Sequence, residues 1–299
     1  MQTNAGQLKT ENKTEQVPIT HISQFIDQVL SKEPSEGEEF FYRGHSDSAY
    51  KLEPSLFRRD EDTGNYPYRR HESDLITELL AARPEEFIHD RYMLDKLVRM
   101  QHYGLPTRLL DVTSNPLIAL YFACSRIKKD SQGSEIDGSV VIITAKNKEI
   151  KFFDSDTVSC IANISRLPES LKFKLQTRMM TTDEFKSTEV APHLLHFIRD
   201  EKSHFKDVIN PSDLNKILLV KGRLSNERIS SQSGAFLLFG DDTFLPETGN
   251  RDFTVRRLII RNKTSLLGQL NRLGINESTV FPGIEKVSSE IVRKYARRG

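Results

Sequence analysis

Arg43 closes the aromatic run Phe40-Phe41-Tyr42 and is followed by Gly44. A guanidinium presents a planar fork of donors that matches a phosphate or a carboxylate, and glycine beside it lets a ligand or another backbone come close. A second concentration of polar groups lies between Leu97 and Cys124, where His102, Tyr103, Thr107, Arg108, Asp111 and Thr113 fall between apolar segments. Asp111 can balance a developing positive charge. His102 can move a proton or orient an acceptor if substrate reaches it, and Tyr103 can stack on a planar ring. Each group also has a structural reading. Arg43, Arg108 and Asp111 can form a buried ion-pair network, His102 can simply bond at a helix end, and Tyr103 can pack with its hydroxyl tethered.

The elements that must position these groups are readable around them. Leu94, Leu97, Val98 and His102 recur at helical spacing, which predicts a helix over Asp90 to His102. Gly104 can take the left-handed conformation that closes a helix, and Pro106 cannot continue it. A short apolar strand then delivers Asp111 and Thr113. Ser114 or Asn115 can cap the next helix, Pro116 suits its first position, and the wholly apolar stretch Leu117 to Cys124 predicts a buried helix. Upstream, the pattern predicts a helix over His21 to Leu30, a strand over Glu39 to Arg43, an elaborate loop from Gly44 to Pro67 and a helix over Arg70 to Ala82. Downstream, Gly138 to Ala145 is the clearest strand, and residues from about Thr157 to Asp207 read as mostly helical. Strand character returns at Lys216 to Lys221, Ala235 to Phe239 and Phe253 to Ile260, before helices near Thr264 to Leu273 and Ile284 to Arg298. The expected fold class is α+β. Residues 19–299 are expected to form a single mixed domain whose central sheet is split by a helical insertion at about 157–207, behind a tail at 1–18 that is expected to be disordered.

Composition narrows the chemistry. The 299 residues suffice for a substantial core, and 43 basic against 42 acidic residues leave a net charge of only +1, so bulk charge gives no reason to expect strong nonspecific nucleic-acid binding. The two cysteines, Cys124 and Cys160, fit neither a CxxC pattern nor a disulfide framework, and no signal-peptide core opens the chain; a cytoplasmic setting without membrane attachment is expected. His193 and His196 share a helix face with His204 two turns on, but no cysteine or acidic partner has ligand spacing, and no metal is expected. The sequence has no glycine-rich phosphate loop with a lysine, and RISSQSG is not a nucleophile elbow. A nuclease reading is weakened by the lack of a compact set of metal-binding carboxylates.

Three motifs in order, FFYRG at Phe40 to Gly44, QHYGLPTRLLDVTSNPLIALYFA at Gln101 to Ala123 and RISSQSGAF at Arg228 to Phe236, resemble the FRG domain family. The resemblance covers about Phe40 to Phe239 and implies a domain found widely in bacteria and phages, without supplying a reaction. The arrangement is also similar to the ADP-ribosyltransferase superfamily: an arginine before a glycine at the end of the first strand, Asp111-Val112-Thr113-Ser114 ahead of a helix, and Gln232-Ser233-Gly234 late in the chain. That similarity implies an ADP-ribosyltransferase-like core that uses NAD as substrate. Arg43, Gly44, His102, Tyr103, Thr107, Arg108 and Thr113 would then contact NAD, with Arg43 on the pyrophosphate, and Asp111, Gln232 and Glu227 would do the catalytic work. Gln232 stands where the superfamily carries a glutamate, and an amide cannot face an oxocarbenium-like state with charge, so the carboxylate falls to Asp111 or Glu227, of which Asp111 lies inside the signature. Two function classes follow. One is a transferase or NAD glycohydrolase, a toxin or phage-defence effector with a nucleic-acid or protein acceptor and an antitoxin or defence-system partner. The other is a noncatalytic module that binds a nucleotide, a nucleic acid or a protein.

Overall fold

The aromatic run that ends in Arg43 lies inside a strand that continues past it. The computed structural model describes residues 17–175, 180–223 and 232–281. Within them the strands are β1 (Glu38–His45), β2 (Leu109–Thr113), β3 (Gly138–Lys146), β4 (Ile150–Phe152), β5 (Ile217–Lys221), β6 (Gly234–Phe239) and β7 (Phe253–Ile260). They form one seven-stranded mixed sheet in the order β4-β5-β6-β2-β1-β3-β7, and of its neighbours only β4 and β5 run parallel. The fold is therefore of the mixed α+β class expected. The helices α1 (Ile22–Leu30), α2 (Glu72–Ala82), α3 (Met93–His102) and α4 (Pro116–Cys124) precede β3. The insertion between β4 and β5 carries α5 (Asp156–Ile164), α6 (Glu169–Lys172), α7 (Thr182–Lys186) and α8 (Val190–Glu201), and helices at Lys263–Arg272 and Glu277–Val280 follow β7.

Alternation along the strands divides the core. Phe41, Leu110, Val112, Val141, Ile143, Leu219 and Leu237 point to one face, under Leu52, Leu56, Phe57 and Leu245 from the connecting segments. The opposite face is covered in two halves. Leu109, Leu218, Val220, Phe236 and Leu238 meet the helices of the insertion and α3, whereas Tyr42, Val140, Ile142, Leu258 and Ile260 meet α4, α1 and the Lys263–Arg272 helix. The boundary between these halves is the β1–β2 seam, where the strands pair only at Tyr42 and Thr113.

Local expectations meet the structure closely around the signature. Gly104 has φ +89, Asn115 accepts from the Leu117 amide at 2.9 Å through its side chain, and Pro116 opens a helix whose residues are mostly buried. Elsewhere boundaries shift. The loop expected from Gly44 starts after His45, because β1 pairs with β3 as far as His45↔Ser139. The helix expected from Asp90 begins at Met93, whose amide donates to Glu201 Oε2 at 2.6 Å while Asp95 accepts from the Tyr92 amide. Ile19 joins the sheet edge through a bridge to Ile260. Residues 1–16 of the expected tail and the helix expected at Ile284 to Arg298 lie outside the described residues. Among the described residues, no helix is long and apolar enough to cross a membrane.

Candidate functional site

The weak β1–β2 seam opens into a cleft of about 170 Å³. Beyond the Tyr42–Thr113 pair the two strands part, and the Arg43 side chain fills the gap: Nη1 donates to the Asp111 carbonyl at 2.6 Å. Nε of Arg43 donates to Nε2 of His45 at 3.0 Å. Among the described residues Nη2 has no hydrogen-bond partner. Burial lowers the Arg43 pKa to about 10, the Asp111 charge opposing and Arg58 adding to the fall, so the guanidinium stays charged at neutral pH. His45 is buried, and burial together with Arg43, Arg257 and Arg58 drives its pKa down to about 2. A neutral imidazole is what lets Nε2 accept from Arg43.

On the β2 side a relay fixes the carboxylate. Thr107, buried at 1% exposure, donates from Oγ1 to Gln101 Oε1 at 2.7 Å, and Gln101 Nε2 donates to Asp111 Oδ2 at 2.9 Å. The threonine sets which way the amide faces, and the amide then holds an acceptor-only carboxylate at the cleft wall. Asp111 itself is exposed. Tyr42, Val98, Phe122 and Phe236 supply apolar wall around these groups, and His102 also borders the cleft. The resulting cleft is lined by one held carboxylate, one held guanidinium and an apolar wall.

Of the residues expected from sequence, Arg43, Gly44, His102, Asp111, Thr113 and Gln232 line this cleft. Their detailed roles differ from expectation. A Cβ on Gly44 would lie 1.9 Å from the Ala119 carbonyl oxygen and 2.6 Å from the Ala123 nitrogen, so the close approach glycine permits is that of α4. Thr113 Oγ1 donates to the Gln232 carbonyl at 2.5 Å and accepts from the Asn115 amide at 3.0 Å, tying the late turn to the head of α4. Gln232 in turn donates its side-chain amide to the Val280 carbonyl at 3.0 Å. Thr107 lies behind the wall and acts on Gln101.

Arg108 and Tyr103 sit elsewhere. Arg108 is 2% exposed and donates from Nε and Nη2 to the two oxygens of Glu72 at 2.7 and 2.6 Å, with Nη1 on the Phe239 and Gly240 carbonyls. An ion-pair network does exist, but with Glu72 and Lys172 in place of Asp111 and Arg43. Burial alone would raise the Glu72 pKa; Arg108 and Lys172 overcome it and hold the carboxyl at about 2. Tyr103 is 63% exposed, tilted against His102 and turned toward Glu86. Glu227 lies outside the described residues. Gln101 and His45 were not anticipated: Gln101 was visible inside the signature as a polar residue on a helix next to His102, whereas His45 carried no signal of its own. Cys124 and Cys160 are buried and unpaired, and burial raises both thiols to about 12. Among the described residues, no group of three His, Cys, Asp or Glu side chains is arranged to hold a metal ion.

Residues 38–132, which carry Arg43, Gln101, His102, Asp111 and Thr113, match the family model of the FRG domain. Over that span the chain is similar to the FRG domain. The matched span of the FRG domain runs from β1 past α4 and so contains both walls of the β1–β2 seam. Gln232 and the RISSQSGAF motif lie beyond it. No curated protein and no solved structure matches the chain.

Proposed function

We propose that the chain is an NAD-using ADP-ribosyltransferase or NAD glycohydrolase whose FRG domain provides the reaction cleft. The observation that carries this reading is the convergence of Arg43 and Asp111 in the lining of one small cleft, where Arg43 donates to the Asp111 carbonyl and each side chain has a partner of its own, His45 and Gln101. The volume of about 170 Å³ suits one ring, since engineered cavities of ~150 Å³ bind benzene. The nicotinamide enters this space, and the phosphates stay outside it near the open side of Arg43. Cleavage of the nicotinamide–ribose bond leaves positive charge on the ribose, which the Asp111 carboxylate faces. The Thr107–Gln101 relay keeps the carboxylate from turning away. Within this reading the protein is an effector of the toxin or phage-defence kind, with a nucleic acid or protein as acceptor and an antitoxin or defence-system partner as its restraint.

A second reading, a noncatalytic nucleotide-binding module, is favoured by Gln232, whose amide is already engaged by Val280 and brings no charge to the late position. One experiment separates the two. Purified protein is incubated with NAD labelled in the nicotinamide, with and without cell extract, beside Asp111→Asn. The transferase reading expects nicotinamide release that falls by about 100- to 1000-fold in Asp111→Asn while NAD still protects the variant against heat. Protection without release in the parent protein leaves the binding module, and neither effect removes both readings of the NAD site.

A further inference from the structure

A second cavity, of about 310 Å³, shares no lining residue with the cleft and lies at the opposite end of β2, where Arg108 precedes the strand. Its floor is the buried triad of Glu72 with Arg108 and Lys172, in which Lys172 Nζ meets Glu72 Oε2 at 2.7 Å. Two cations on one carboxylate leave a positive excess in a wall where the Arg108 and Lys172 side chains are only 3% and 12% exposed. Charge in such a place is costly unless an anion approaches it. At the mouth, Arg69 reaches Asp241 only at 3.5 Å, and Arg70 is exposed with no hydrogen bond or ion pair among the described residues. Glu169 and Asp241 are the other carboxylates of the lining, so four cationic side chains stand against three acidic ones.

The remaining wall is aromatic. The Arg69 guanidinium lies 5.6 Å from the ring centres of both Phe57 and Tyr66, and Phe173 is 82% exposed at the rim. A bare phenylalanine exposes apolar surface to water that a stacked planar ring would cover, and nucleic-acid bases stack on such aromatic platforms whatever their sequence. The volume is about twice that of the cleft and falls at the lower end of the ~300–1,000 Å³ typical of small-molecule sites.

We propose that this cavity binds a nucleotide unit, its phosphate drawn to Arg69, Arg70 and the excess charge of the triad and its base stacked on Phe173. The unit is either a free mononucleotide or one residue of a single strand. Binding here is independent of the NAD reading, since the residues tested are absent from the cleft. The test measures fluorescence anisotropy of N-methylanthraniloyl-ADP and, separately, of a labelled single-stranded RNA of about ten nucleotides, a length within the range of single-strand sites. The parent protein, Arg69→Ala/Arg70→Ala and Phe173→Ala are compared. All three changes are at the cavity mouth and leave the buried triad intact. Saturable binding is expected, weakened about tenfold or more by the double variant and several-fold by Phe173→Ala. If the strand is the ligand, the double variant also flattens the salt dependence by about one unit of slope. Capture of the mononucleotide identifies a free nucleotide site, and capture of the strand alone identifies a strand site. Unchanged affinity in the double variant, absence of binding to both probes, or displacement by inorganic phosphate as effective as by AMP would overturn the proposal.

Discussion

Replacing Glu72 with glutamine tests whether the signature arginine Arg108 is a structural residue. The Glu72 carboxyl is depressed from an ordinary 4.5 to about 2 by Arg108 and Lys172 against the cost of burial. A folded-state pKa below the unfolded one adds stability that is fully present above the unfolded value and fades as pH falls toward the folded one. The difference of about 2.5 units is worth ~3 kcal/mol at pH 7, and ~1.5 kcal/mol remains at pH 3. The larger figure also agrees with the ~3–5 kcal/mol lost when one partner is removed from a buried ion pair. Urea unfolding of the parent and Glu72→Gln measures the difference directly. The variant is expected to be less stable by about 3 kcal/mol at pH 7, with the gap roughly halved at pH 3, where the parent carboxyl is itself partly protonated. A gap under ~1 kcal/mol at neutral pH, or one that does not narrow with acid, would show that Glu72 is not the ionised anchor of Arg108.

Three further outcomes are expected. Gly44→Ala forces a Cβ into the backbone of α4, 1.9 Å from the Ala119 oxygen. It should cost ~3 kcal/mol or more and lower the thermal midpoint by several degrees, and an unchanged midpoint would contradict the α4–β1 packing. Thr107→Val removes the donor that orients Gln101 and should slow nicotinamide release by about tenfold, with Thr107→Ser restoring it; equal rates in all three proteins would exclude the relay. Cys124 and Cys160, raised to about 12 by burial, should resist a thiol reagent at pH 8 until the protein unfolds, as timed by absorbance.

The sequence was most informative where local chemistry sets structure. Gly104, Asn115 and Pro116 announce a helix end and a helix start because their backbone and capping preferences are local. Phe253 to Ile260 likewise reads as a strand from its own pattern. The three-residue β4 was not foreseen, since Ile150–Phe152 is a strand only by virtue of lying beside β5, far along the chain. The partner of Arg108 is hidden from the sequence for the same reason: Asp111 is three positions away, but Glu72, 36 positions upstream, is the carboxylate that folding brings to it. Residue type brought Arg43, Asp111, Thr113 and Gln232 to one cleft, yet their hydrogen bonds came from His45, Gln101 and Val280, which no spacing rule connects.

The cleft between β1 and β2 as an NAD site is tested most directly by calorimetric titration of NAD into the parent protein and into Arg43→Ala. Saturable binding is predicted for the parent, weakened about tenfold or more when the charged donor is removed. No heat of binding at millimolar NAD, or the same affinity in both proteins, would contradict it.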